Sequence, residues 1–326
     1  MKKTMIALAA IAAVGAASAQ VSVTGAVAYG WSSTTDGAGA TTAGLGMDTA
    51  FLKFSATEDL GNGIKASGNV TLNTGNYGVL ASSDDQTISI STPAVTVTLG
   101  QVKGAEYTMA AAGSVVYQSM DGRVLSARSI RDLLSFSIPL ATGLTGSLAY
   151  QEPSTAATQG LGLGSVGTTN QGVYAAGLTY APGATVLTAA FLQYTNVGST
   201  DGTSDNVTRL GARTTLGTFS FGGGLQIVKQ GGGGTNTQAS LAASAPVSDA
   251  LTLGALYSTN NQTSSLLYAG RRSGYALNLN YAMSKRTGLS VGTGSWRGSQ
   301  ATSAAPTAGF DAADSSTYHA VLSHSF

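Results

Sequence analysis

From Ile64 to Asn73 every even position is apolar or glycine and every odd position is polar or charged. A β-strand sends successive side chains to opposite faces, so this segment separates an oily face from a wet one. The same period of two recurs where Leu52, Phe54 and Ala56 alternate with Phe51, Lys53, Ser55 and Thr57, and where Val95, Val97 and Leu99 alternate with Thr96, Thr98 and Gly100. Further on, Leu210 and Ala212 oppose Arg209, Gly211 and Arg213; Leu277, Leu279 and Tyr281 oppose Ala276, Asn278 and Asn280; Tyr318, Ala320, Leu322 and Phe326 oppose His319, Val321, Ser323 and Ser325. About sixteen such segments run through the chain, the pattern of an all-β fold with one face in hydrocarbon.

The connections between segments sort into two kinds. Short ones carry turn chemistry, as in 59–63, Thr92-Pro93, 141–143, Ala181-Pro182-Gly183, Ser248-Asp249 and 283–286. Long ones, rich in Gly, Ser, Thr and Ala, are expected at about 33–47, 74–85, 101–127, 153–171, 196–205, 230–235, 260–271 and 298–316. Short and long alternate, as in an antiparallel meander with tight turns on one rim and long loops on the other. In lipid every backbone N–H and C=O must find a partner within the protein, so such a sheet has to close into a barrel.

A β-sandwich would bury its second face as Val, Ile, Leu and Phe, whereas here that face is Ser, Thr, Asn, Gln, Gly, Lys and Arg. The apolar face therefore points outward to lipid and the polar face lines water. Tyrosines near strand ends, at Tyr29, Tyr150, Tyr180, Tyr194, Tyr257, Tyr281 and Tyr318, suit the headgroup level. Charged residues make up only 10% of the chain against roughly 25% in soluble proteins.

The first nineteen residues form a separate unit. Lys2 and Lys3 precede an apolar stretch from Met5 to Val14, and small residues follow to Ala17-Ser18-Ala19, the order of a secretory signal peptide with cleavage expected after Ala19. The barrel is then residues 20–326. Removing Lys2 and Lys3 leaves 14 of the 16 basic residues against 15 acidic ones, too even a balance for a nucleic-acid partner. After residue 19 no stretch of about 18 apolar residues exists to cross a bilayer as a helix.

Catalytic and metal chemistry find no foothold. The chain has no cysteine, and His319 and His324 fall on opposite faces of the last segment without an acidic cluster beside them. The run Gly231 to Gly234 lacks the Gly-Lys-Ser/Thr ending of a phosphate loop and reads as a turn. Asp84-Asp85 and the pair Asp311 and Asp314 read as solvated loop residues. Neither an enzymatic activity nor a cofactor is expected.

Four motifs carry a resemblance. Glu58 to Ala66 is similar to an "EDLGGGLKA" hairpin, Val97-Thr98-Leu99-Gly100 precedes a long third loop, Tyr281 to Thr287 is similar to a "YxLSKRT" turn, and His324-Ser325-Phe326 matches a His-x-Phe ending. On these the chain resembles the general porins of the Gram-negative outer membrane, most closely the β-proteobacterial type. The resemblance implies a homotrimer of sixteen-stranded barrels, each a water-filled channel for ions and small hydrophilic solutes. It implies a third loop, here about Gln101 to Ala127, folded into the lumen as a constriction. It also implies that Phe326 is read by the barrel assembly machinery, and that outer-membrane lipid and lipopolysaccharide are neighbours. Where the family often has arginine, this chain has Phe51, Ser55 and Gln101.

Parity puts Lys53, Lys65, Arg131, Arg209 and Arg213 on the wet face, with Arg123 and Arg128 at the return of the third loop. The constriction is expected to comprise Lys53, Lys65, Glu106, Asp121, Arg123, Arg128 and Arg131, with Arg209 and Arg213 elsewhere in the lumen. Cations outnumber carboxylates in that set, which predicts weak anion preference. The competing reading is a secreted Gly/Ser/Thr-rich β-helix or adhesin-like surface protein, which would show a short fixed repeat.

Overall fold

The computed structural model describes residues 20–73, 82–103, 120, 123–126, 130–153, 172–195, 204–231, 233–263, 270–298 and 315–326. They form strands β1 (Gln20–Asp36), β2 (Thr41–Gly61), β3 (Ile64–Asn73), β4 (Ser82–Ser91), β5 (Thr96–Lys103), β6 (Ile130–Ala141), β7 (Leu144–Pro153) and β8 (Val173–Tyr180). The second half comprises β9 (Val186–Tyr194), β10 (Ser204–Leu216), β11 (Phe219–Gln230), β12 (Thr235–Pro246), β13 (Leu251–Thr263), β14 (Gly270–Ala282), β15 (Thr287–Gly298) and β16 (Ser315–Ser325). Each strand pairs antiparallel with its neighbours, and β1 pairs with β16 from Ala26↔Ser325 to Asp36↔Ser315, closing a sixteen-stranded barrel. The β-helix alternative is thereby excluded, since its strands would stack in parallel coils.

Closure is completed at the rim of short turns. Phe326 N–H donates to Gly25 O and Gly25 N–H donates to Phe326 O, both at 3.0 Å. The turns on this rim use the chemistry their sequences carry. Asp59 Oδ1 accepts from Gly61 N–H at 2.9 Å, and Asn62, flanked by Gly61 and Gly63, takes a left-handed conformation with φ 53°. Thr92 Oγ1 accepts from Val95 N–H at 3.0 Å, and Ser284 Oγ accepts from Thr287 N–H at 3.0 Å.

Residues paired across a ladder share a face, so the registers carry one parity around the barrel. Val23, Phe54, Val70, Ile88, Leu99, Phe136, Leu148, Leu178, Phe191, Leu210, Leu241, Leu279, Val291 and Leu322 are exposed on the outside, where hydrocarbon lies. Tyr29, Tyr180, Tyr257, Tyr281 and Tyr318 are exposed there too, and Tyr150 shares that face through its pairings with Leu134 and Tyr174. Tyr194 is a correction: it pairs with Val173 on the inner face, and Arg131 lies over its ring at 5.6 Å.

The first connection also differs from expectation. Instead of a loop over 33–47, β1 continues to Asp36 and β2 begins at Thr41. The turn between them is held by Asp36 Oδ1, which accepts from Ala38 N–H at 3.0 Å and Ala40 N–H at 2.8 Å. Two features hid this hairpin. Its residues are small and polar like a loop, and a register shift leaves Asp48 without an opposite residue, so that the parity of Leu45 and Met47 does not continue into Leu52 and Phe54. Shorter discrepancies of the same kind occur at β4, which starts at Ser82, at β5, which runs to Lys103, and at β13 and β14, which reach Thr263 and start at Gly270.

Candidate functional site

The inner face is where sequence parity and structure part company in an informative way. On β12–β15, Ala242, Leu256, Ala276 and Trp296 point inward and are buried, and what covers them is the described part of the third connection, Met120, Val124 and Leu125. Met120 O accepts backbone N–H bonds from Arg123, Val124 and Leu125, making a compact turn whose apolar side chains face one way. The turn is latched to the wall by polar groups at its border. Ser126 N–H donates to Gln238 Oε1 at 2.9 Å, Gln238 Nε2 donates to Ser126 Oγ at 2.7 Å, and Asn260 Nδ2 donates to Val124 O at 2.9 Å. Arg123 lies over the Trp296 ring at 4.6 Å.

Gly274 shows how closely loop and wall approach. A Cβ there would stand 2.9 Å from Val124 Cγ2 and 2.9 Å from both Trp296 Cβ and Ser295 O. A segment that leaves β5 and returns to β6 thus reaches across the lumen to the far wall, narrowing the passage between. A second inward apolar group, Val173, Leu192, Val207 and Val228 with Ala175, Ala190 and Tyr194, lies on β8–β11. These patches sit at positions whose parity is that of the polar face, which sequence alternation cannot distinguish from a wet wall.

The lumen charges follow from the ladders. Lys53 pairs with Thr24 and Thr71, and Lys65 with Asp59 and Ser91, on the inner face of β2 and β3. Arg131 (β6), Arg209 and Arg213 (β10) also face inward, and Arg209 Nε donates to Gln226 Oε1 at 2.8 Å, which fixes its guanidinium along the wall. Arg272 on β14 faces inward beside Asn260 and was not among the expected residues. Its parity is that of Asn278, but it directly follows the stretch 260–271 that reads as loop, which left it at the edge of the pattern. Glu106, Asp121 and Arg128 lie outside the described residues. Of the family departures, Phe51 and Ser55 face the lumen and Gln101 faces outward, donating to Asp132 Oδ1 at 3.5 Å.

Inward carboxylates among the described residues are sparse. Asp36 is spent on its turn, Asp59 faces Lys65 across the ladder, and Asp48, at the register shift of β2, is near enough to lumen-facing His319 for its charge to act there. His319 faces the lumen, where its Nε2 donates to Asn278 Oδ1 at 2.9 Å. Asn278 in turn donates to Asn280 Oδ1 and Ser290 Oγ, so the histidine ring is held in a carboxamide and hydroxyl network. His324 is on the other face, paired with Val27 and bonded to Thr287 Oγ1.

A polar lumen, a latched inward loop and an apolar exterior form the geometry of a diffusion channel, and comparison with known proteins agrees. In structure the chain is similar to the anion-selective porin from Comamonas acidovorans, with TM-score 0.72 and 20% identity over 95% of this chain and 100% of that one. It is also similar to the trimer form of OmpT from Vibrio cholerae, with TM-score 0.68 and 13% identity over 95% and 100%. A variant of the Rh. blastica porin gives TM-score 0.62 and 13% identity over 94% and 100%. No curated protein sequence matches significantly. The sequence model of the Gram-negative porins matches residues 6–301, so by sequence and by fold this chain belongs to the Gram-negative porin family and is an outer-membrane channel.

Proposed function

We propose that this porin passes small hydrophilic solutes with a preference for anions, and that it works as a homotrimer. One observation carries the ion preference. Lys53, Lys65, Arg131, Arg209, Arg213 and Arg272 face the lumen from several sides, and Arg123 stands on the inward loop, whereas few carboxylates share that face among the described residues. A narrow aqueous pore walled by hydrocarbon focuses field, and the screening length in 0.15 M salt is about 8 Å, so an ion at the constriction feels the local charges and not the near-neutral chain. The expected constriction set of Lys53, Lys65, Glu106, Asp121, Arg123, Arg128 and Arg131 is retained in this reading, with Arg209, Arg213 and Arg272 forming a cationic lining. The similar porin from Comamonas acidovorans bears the description anion-selective, which supports the same sign. The trimer form of OmpT supports the oligomer.

Residues 1–19 act as a cleaved export signal, and Phe326 as the feature read by the barrel assembly machinery. Outer-membrane lipid, including lipopolysaccharide, surrounds the barrel. Chemistry beyond conduction is not part of the function. Planar-bilayer recording tests the core of the reading: discrete conductance steps with a reversal potential favouring chloride in a KCl gradient are expected. A reversal potential favouring potassium overturns the ion preference, and absence of steps overturns the channel.

A further inference from the structure

Trp296 occupies the inner face of β15 between two small ladder partners, Gly274 on β14 and Ser315 on β16. They leave the indole room against the wall, where it is buried at 5% exposure beneath the turn of Met120, Val124 and Leu125. A buried tryptophan ordinarily finds an acceptor for its N–H, yet Trp296 Nε1 has none among the described residues. What the residue supplies here is apolar area and an aromatic face. Arg123 Cζ stands over that face, 4.6 Å from the ring centroid.

We propose that Trp296 is a positioning residue for Arg123: its ring fixes where the loop's cation stands in the lumen and thereby sets the size of the anion preference. The turn holds the backbone of Arg123, whose N–H donates to Met120 O at 3.1 Å, but a long, flexible side chain separates that backbone from the charge. An aromatic face attracts a guanidinium without carrying a countercharge, so the ring holds the cation and leaves its field in the passage, which an ion pair would cancel. The charge of Arg123 reaches His319 on β16, as does that of Asp48, which puts the guanidinium on the β15–β16 side of the lumen. The proposal rests on the anion preference given above, because it names a residue that sets its size.

A second pair repeats the arrangement with a looser fit. Arg131, at the start of β6 where the third connection returns, lies over the Tyr194 ring of β9 at 5.6 Å from its centroid. Tyr194 packs in turn against buried Val173, Leu192, Val207 and Val228. In both pairs the cation comes from the third connection or the strand that follows it, and the ring comes from a distant part of the wall. Indole is the stronger partner for a cation and here also the closer one, so Trp296 has the larger effect and Tyr194 the smaller.

Planar-bilayer recording of the purified folded protein tests this, with the reversal potential in a KCl gradient reading ion preference. W296L is expected to lower the chloride-to-potassium permeability ratio about as far as R123A does, by roughly twofold, and Y194L to lower it less. W296F, which keeps a flat aromatic face, is expected to retain most of the ratio. In the R123A background W296L should move the ratio no further, because both substitutions remove one interaction. An equal shift from W296L with and without Arg123 shows that the ring acts through loop packing and overturns the proposal, as does a loss in W296F equal to that in W296L. A spectroscopic measurement needs no substitution at Trp296. W31F removes the chain's other tryptophan, which is exposed on the outside, and in that background R123A is expected to shift the emission maximum of Trp296. An unshifted maximum overturns the contact. If the unaltered protein favours potassium, the ion preference falls and this proposal with it, whereas a chloride preference that R123A lowers and W296L leaves intact removes only the positioning role.

Discussion

Gln238 on the β12 wall and Ser126 on the inward loop exchange two hydrogen bonds, one from the loop backbone to the carboxamide oxygen and one from the carboxamide nitrogen to the loop hydroxyl. Gln238 is fully buried, and its ladder neighbour Gln226 accepts from Arg209. The loop's anchor and a lumen cation therefore belong to one row of side chains. Whatever shifts the anchor shifts the electrostatics of the passage.

Gln238→Leu is expected to strand the Ser126 N–H, at a cost of about 1–3 kcal/mol for a buried unsatisfied group. The barrel itself should persist, because its ladders are untouched. Single-channel records should show larger and noisier open currents than the unaltered protein. Identical current amplitude and noise would show that the latch does not set the constriction.

Gly274→Ala attacks the same contact from the other side. Its methyl group would press at 2.9 Å on Val124 Cγ2 of the loop and, at equal distance, on Ser295 O and Trp296 Cβ of the hydrogen-bonded wall, so the Val124 side chain is the group that yields. The expected current change has the same sign as for Gln238→Leu, and the double variant should give less than the sum, since both release one contact. Additive effects in bilayer recording would mean two independent anchors.

Arg131→Ala and Arg209→Ala should each move the reversal potential in a KCl gradient toward zero. Arg271→Ala, which faces lipid, should leave it unchanged. An equal shift from all three would argue for general surface charge rather than lumen charge as the source of preference.

Gly25→Val places side-chain atoms where Phe51 O and the Phe326 ring already stand, the nearest at 2.6 Å and 2.7 Å from a Cβ. The yield of heat-modifiable, folded barrel should fall sharply, as it should on deleting Phe326, while channels that do assemble keep their conductance. Normal yield with altered conductance would contradict the assignment of this contact to closure.

Much of this was legible in the chain. Ile64 to Asn73 declared its two faces, the 59–63 and 283–286 turns carried their own chemistry, and His319 and His324 fell on the faces that parity gave them. What stayed hidden has one physical origin. Alternation reports that two faces differ, and it is silent where both faces are alike or where an inner residue is covered by another segment. The hairpin around Asp36 has small and polar residues on both faces, so nothing alternates. Leu256 and Trp296 look like misplaced apolar residues until Met120 and Val124 are seen lying on them. Tyr194 read as headgroup aromatic because a tyrosine at a strand end suits either side of the wall, and only its pairing with Val173 tells which.

At the seam between β1 and β16, Ala26 lies opposite Ser325, so the pairing joins the most distant stretches of the described chain, and no shorter run of strands offers β1 its second neighbour. A sheet stopped at any earlier strand would present two bare edges to hydrocarbon, each orphaned N–H or C=O costing several kcal/mol. The two ends of the sheet are thus each other's cover, and neither is a finished wall until both are in place.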